Sequence, residues 1–198
     1  MPFWLFVSSR PRQWLKNLAL FGPLLFEGAF FKPEKFSLVL FGFLIFCLIT
    51  SGIYIINDVI DRKKDLAHPF KSKRPIASGR IRPEVALIWA FGVIAFSLFL
   101  ASTLNTFFLY AAVGYITLQI VYSLFLRSYM LLDVMAIASG FLLRVYAGAV
   151  LIDAHVTVWF MLTVASLALF LAIGKRRSER TLLMGSGARG TDTRQILN

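Results

Sequence analysis

Apolar positions along the chain gather into six blocks, parted by short polar or charged stretches rather than by a regular alternation. The blocks predict helices over 18–31, 36–57, 85–101, 104–126, 130–152 and 156–174. Several of them reach the roughly 20 residues that a helix needs to cross a bilayer. The expected fold class is therefore all-α, a polytopic transmembrane helical bundle. The first block is short, and Pro23 is placed to kink it. Ahead of it, residues 1–17 mix Phe3, Trp4, Phe6, Trp14 and Leu15 with Arg10, Arg12 and Lys16, the pattern of an interfacial amphipathic segment. Its cations follow the apolar start and no small-residue cleavage site appears, unlike a signal peptide. Three regions result: the interfacial segment 1–17, a membrane domain 18–174 with a charged loop at 57–83, and a basic tail 175–198.

Polar residues that break the apolar blocks are the informative ones. Thr50, Tyr54, Asp58 and Asp61 recur at steps of four, four and three, a polar stripe descending one face of the second helix. Tyr115, Gln119 and Tyr122 share a face of the fourth, where they either line a cavity or glue helices together. Arg144 lies well inside the fifth, where a lone cation costs at least roughly 2.5–3.5 kcal/mol. It rises from a stripe of small residues, Ala136, Gly140 and Gly148, which allows close helix packing or leaves room for a ligand. Asp133 on the same helix is about 16 Å away by helical rise, too far to pair with it. Its expected partner is a substrate phosphate or a group on another helix.

Composition agrees with a membrane protein. The chain is 58% hydrophobic and 16% charged, with a mean hydropathy of +0.74. The net charge of +11 does not require nucleic acid, because no basic soluble domain with readout elements is present. Instead, 18 of the 21 Lys and Arg fall in 1–17, 58–84, 127–129 and 175–198, and the alternate loops hold only Lys32 and Lys35. That bias places the first set in the cytoplasm, with the expected site facing it. The single cysteine, Cys47, excludes a disulfide framework and lies in an apolar run as a small core residue.

The densest chemistry is NDVIDRKKDLAHPFKSKRPIASG at 57–79. Asn57, Asp61 and Asp65 recur at steps of four and share a face if the helix continues, with Asp58 close enough to join them. Oxygen ligands at that spacing suit Mg²⁺, which keeps several waters and is commonly shared with substrate phosphates. His68, Lys71, Lys73 and Arg74 follow, and Pro69 and Pro75 bias the residues before them out of helix into an ordered loop. A loop merely solvated by charges of both signs is the plainer account.

NDxxDxxxD at the end of a second membrane helix, followed by RPIASG, resembles the first aspartate-rich motif of the UbiA superfamily of intramembrane prenyltransferases. One branch, the decaprenyl-phosphate phosphoribosyltransferases, is similar in four ordered blocks: RPRQWLKN at 10–17, HPFKSKRPIASG at 68–79, LLRVYAG at 142–148 and GKRRSE at 174–179. The resemblance implies nine membrane helices, of which this sequence supplies six. Prenyltransferases of the superfamily carry a second DxxxD motif where this chain has Lys175, Arg176 and Glu179. That departure agrees with the phosphoribosyl branch.

The implied reaction moves a 5-phosphoribosyl group from 5-phosphoribosyl-1-diphosphate to a polyprenyl phosphate and releases diphosphate. The resemblance implies that Asn57, Asp58, Asp61 and Asp65 hold Mg²⁺, with Asp58, Asp61 and Asp65 as the catalytic carboxylates. Lys16, His68, Lys71, Arg74, Lys175 and Arg176 would bind phosphates, and Tyr54, Tyr122 and Arg144 would line the cavity. The partners implied are the polyprenyl phosphate lipid, the phosphorylated sugar donor and the plasma membrane, with association between copies left open. Two other readings stay open: prenyl transfer from a diphosphate to an aromatic acceptor such as 4-hydroxybenzoate, and a non-catalytic lipid-phosphate transporter or scaffold.

Overall fold

A computed structural model describes residues 2–68, 70–126 and 129–185. Among them all regular secondary structure is helical, with no strand. Five helices are long and apolar enough to cross a membrane. They are α3 (Pro33–Ile60), α5 (Pro83–Leu104), α6 (Thr106–Leu124), α7 (Met130–Leu151) and α8 (Val158–Gly185), with α1 (Pro2–Ser8), α2 (Gly22–Phe26) and α4 (Arg62–Leu66) as short pieces between or before them. The bundle agrees with the expected fold class. α8 runs on past the expected boundary at Gly174, and the tail 186–198 lies outside the described residues.

The first expected helix, 18–31, takes a different form. A 3-10 segment, Pro11–Phe21, leads into the five-residue α2, and the chain turns at Gly28 with φ 63°. The spacing explains the 3-10 geometry. Trp14, Asn17 and Leu20 recur every three residues, and three residues per turn stack them on one face. That face is tied to α3: Trp14 Nε1 donates to Ser51 Oγ at 3.0 Å, and Asn17 Nδ2 donates to Thr50 Oγ1 at 3.1 Å. Leu20 is fully buried. The segment passes so close to α7 that a Cβ on Gly148 would lie 2.0 Å from the Leu20 carbonyl oxygen. Within the small-residue stripe, Gly148 thus serves close packing.

Two apolar cores position the polar end of the bundle. The larger joins the 3-10 segment, α3, α6 and α7 through Leu20, Ile45, Phe46, Ile49, Phe108 and Ala147. The smaller joins α1, α3, α5 and the loop between α4 and α5 through Leu5, Ile55, Ile76, Ile81, Ala86 and Ala90. Ile76, Ala77 and Ile81 are buried, so this loop is anchored rather than solvated. Arg74 takes φ −60°, ψ 143°, the extended conformation that the following proline favours. Gly79 closes the loop at φ 77°, a conformation glycine adopts without strain. The Arg80 guanidinium sits 4.2 Å over the Trp4 ring and clasps α1 onto the loop.

Candidate active site at the Asp-rich end of the bundle

A cavity of about 670 Å³ opens where the 3-10 segment, the C-terminal end of α3, α6, α7 and α8 converge. It is lined by Lys16, Tyr54, Asn57, Asp58, Asp61, Arg74, Tyr122, Arg144 and Arg176, nine of the residues singled out in the sequence. Thus the N-terminal basic block, the Asp-rich motif and the GKRRSE block lie at one end of the molecule. Both polar stripes run into this cavity, since Tyr115 and Gln119 line it beside Tyr122.

Three expected residues stand outside the lining. Asp65 is buried, and its Oδ2 accepts from Arg74 at 2.6 Å. The physical reason is its partner: the carboxylate turns to the Arg74 guanidinium instead of the lining of the cavity. His68 Nδ1 accepts the backbone N–H groups of Phe70 and Lys71 at 3.2 and 3.4 Å, which shapes the loop. Lys71 sits on the 3-10 turn Lys71–Lys73. The side chain of Lys175 and the whole of Pro69 lie outside the described residues.

Buried carboxylates at this end are held by arginine. Asp58 is 3% exposed and accepts from Arg10 and, at 3.3 Å, from Arg74. Arg74 thereby bridges Asp58 and Asp65. Asp133, also 3% exposed at its side chain, accepts from Arg176 at 2.5 Å and from the Tyr122 hydroxyl at 2.8 Å. The expected exclusion of an Arg144–Asp133 pair therefore holds. Arg144 reaches other helices instead, Asn17 on the 3-10 segment and Tyr115 on α6. Among the described residues no three carboxylate, imidazole or thiol groups converge on a point that would hold a metal ion. Asn57, Asp58 and Asp61 do face one cavity, and one or two carboxylates suffice for Mg²⁺ when a substrate phosphate completes its shell.

Arg10 and Gln13 line the cavity, Asn17 and Asp133 hold the lining residues Arg144 and Arg176, and sequence reasoning assigned a role to none of the four. Arg10 and Asn17 open and close the RPRQWLKN block, so their presence there was the available signal. Asp133 gave none, because its partners lie 11 and 43 residues away.

The UbiA prenyltransferase family model matches residues 18–177. The chain is 38% identical over 191 residues to the decaprenyl-phosphate phosphoribosyltransferase of Mycolicibacterium smegmatis, covering 92% of this chain and 58% of the relative. It is 36% identical over 188 residues to the enzyme of the same name from Corynebacterium glutamicum, covering 92% of this chain and 56% of the relative. The fold matches a UbiA homologue from Archaeoglobus fulgidus solved with DMAPP and Mg²⁺, with a TM-score of 0.78 and 23% identity. That match covers 98% of this chain and 69% of the other. The chain thus spans a little over half the length of the curated relatives it matches.

Proposed function

Because the chain belongs to the UbiA prenyltransferase family, we propose that it transfers a 5-phosphoribosyl group from 5-phosphoribosyl-1-diphosphate to a polyprenyl phosphate. The carrying observation is one cavity in which acidic and basic sets face each other. Asn57, Asp58 and Asp61 come from α3, with Lys16, Arg74 and Arg176 around them. One acidic motif with several separate cations suits a donor that carries a diphosphate and a second phosphate elsewhere on the sugar. The names of the curated relatives point the same way.

Asn57, Asp58 and Asp61 would hold Mg²⁺, which when bound neutralises charge growing on the diphosphate leaving group. Arg74 and Arg176 are aimed by Asp58, Asp65 and Asp133. Positioned guanidiniums bind phosphate in two-pronged fashion. Lys16 adds a third cation, and Lys71 sits on the adjoining turn. An oxygen of the acceptor phosphate forms the new bond to the sugar C1 as the bond from C1 to diphosphate breaks. The acceptor is already an anion, so no side chain needs to remove a proton. The protein sits in the plasma membrane with this end of the bundle toward the cytoplasm, a placement supported by the Lys and Arg distribution.

The test is turnover by purified protein in lipid nanodiscs. Diphosphate release should require 5-phosphoribosyl-1-diphosphate, decaprenyl phosphate and Mg²⁺ together. Release from geranyl diphosphate with 4-hydroxybenzoate, and none from the sugar donor, would give the site to aromatic prenylation instead.

A further inference from the structure

The charges around the cavity are balanced unevenly. Asp58, Asp65 and Asp133 are buried, and each meets an arginine. Arg144 is just as buried, at 5% exposure, and lines the same cavity. Its partners are all neutral: Nε donates to Asn17 Oδ1 at 2.8 Å, one terminal nitrogen to the Gly140 carbonyl at 2.9 Å, and the other to the Tyr115 hydroxyl at 2.5 Å. The rings of Tyr115 and Phe141 lie 4.6 and 5.5 Å from Cζ. Among the described residues no carboxylate is in ion-pair contact with it.

This cradle fixes the guanidinium without neutralising it. Asn17 is itself held by Thr50 and Cys47. Gly140 leaves room for the guanidinium, since a Cβ there would lie 3.4 Å from one of its nitrogens. A guanidinium carries five N–H groups, and three are used here. A buried, oriented cation with two donors left and no counter-ion is poised for an anion arriving through the cavity.

The wall beside Arg144 says which anion. Ala136, Ile137 and Phe141 of α7 face the cavity with Ala168, Leu171 and Ala172 of α8, while the polar groups near Arg144, Tyr54, Tyr115 and Gln119, come from α3 and α6. A hydroxylated sugar carrying three phosphates finds no polar partners on that wall, whereas a single phosphate on an apolar chain fits cation and wall together. We propose that Arg144 binds the phosphate of the prenyl phosphate acceptor, with its first isoprene units between α7 and α8. This rests on the phosphoribosyl-transfer reading and divides its cavity, the donor lying at the Asp-rich end and the acceptor at Arg144.

The test measures binding of geranyl phosphate, geraniol and 5-phosphoribosyl-1-diphosphate with Mg²⁺ to the protein in nanodiscs. Geranyl phosphate should bind the parent about tenfold more tightly than geraniol, and Arg144→Gln should remove that difference. Donor binding should stay within about twofold. Asn17→Asp keeps Arg144 but gives it an internal counter-ion. It should weaken geranyl phosphate by about tenfold while donor binding stays within about twofold, and it carries the test if Arg144→Gln does not fold. A purely structural role for Arg144 would leave geranyl phosphate affinity unchanged in Asn17→Asp, and that result overturns the inference. So does equal loss of donor and lipid in Arg144→Gln. Arg144-dependent binding of geranyl phosphate without any donor binding would keep the acceptor site and refute the donor reading. Donor binding with geranyl phosphate no better than geraniol would do the reverse.

Discussion

Arg10 and Asp58, 48 residues apart, are joined by an ion pair at the cavity, with the carboxylate buried and the guanidinium partly exposed. Arg10 holds a left-handed backbone at φ 50° to reach it, and its guanidinium lies 5.1 Å over the Tyr54 ring. The same Asp58 oxygen accepts from Arg74. A metal ion that takes Asp58 must therefore compete with two guanidiniums, which under the proposed reaction would turn to the donor's phosphates. Metal and diphosphate should bind synergistically. Arg10→Gln should raise Mg²⁺ affinity without donor and lower donor affinity, each by about threefold or more. Calorimetry on the two ligands, separately and together, reads this. An unchanged coupling between them would refute the exchange.

Asp65 should act through Arg74 rather than on the metal. Asp65→Asn removes the negative charge from the 2.6 Å contact that aims Arg74. It should raise the donor KM by about tenfold while metal affinity stays within about twofold. Asp61→Asn should weaken the metal dependence of turnover directly. Equal metal defects in both variants would place Asp65 back among the ligands.

Gly148→Ala should cost about 3 kcal/mol or more, because the added Cβ meets the Leu20 carbonyl oxygen at 2.0 Å and neither backbone can yield. Gly92→Ala is the control. Nothing lies within 4 Å of that Cβ, and the change should be neutral or gain up to about 1 kcal/mol of helix propensity. Thermal unfolding in micelles compares the two.

The helices from 33 onward were legible because apolar blocks of membrane length have few other uses. The stripe through Tyr54, Asp58 and Asp61 was legible because helical spacing is regular up to Ile60. The same spacing could not show that Asp65 meets Arg74, because that pairing depends on how the loop after α4 folds back. Residues 11–17 read as part of an interfacial segment and 18–21 as the start of a membrane helix, and the three-residue repeat of Trp14, Asn17 and Leu20 was the overlooked sign of 3-10 geometry. Arg144 was visible as an expensive charge, but Asn17 is 127 residues away, a pairing that only the folded bundle makes.

The most direct test of the account is which donor stabilises the protein, because a ligand that binds the native state must raise its melting temperature. In nanodiscs with Mg²⁺, 5-phosphoribosyl-1-diphosphate should raise the melting temperature clearly and geranyl diphosphate much less. Arg74→Ala should reduce the effect of the sugar donor. Stabilisation by geranyl diphosphate with none from the sugar donor would contradict phosphoribosyl transfer.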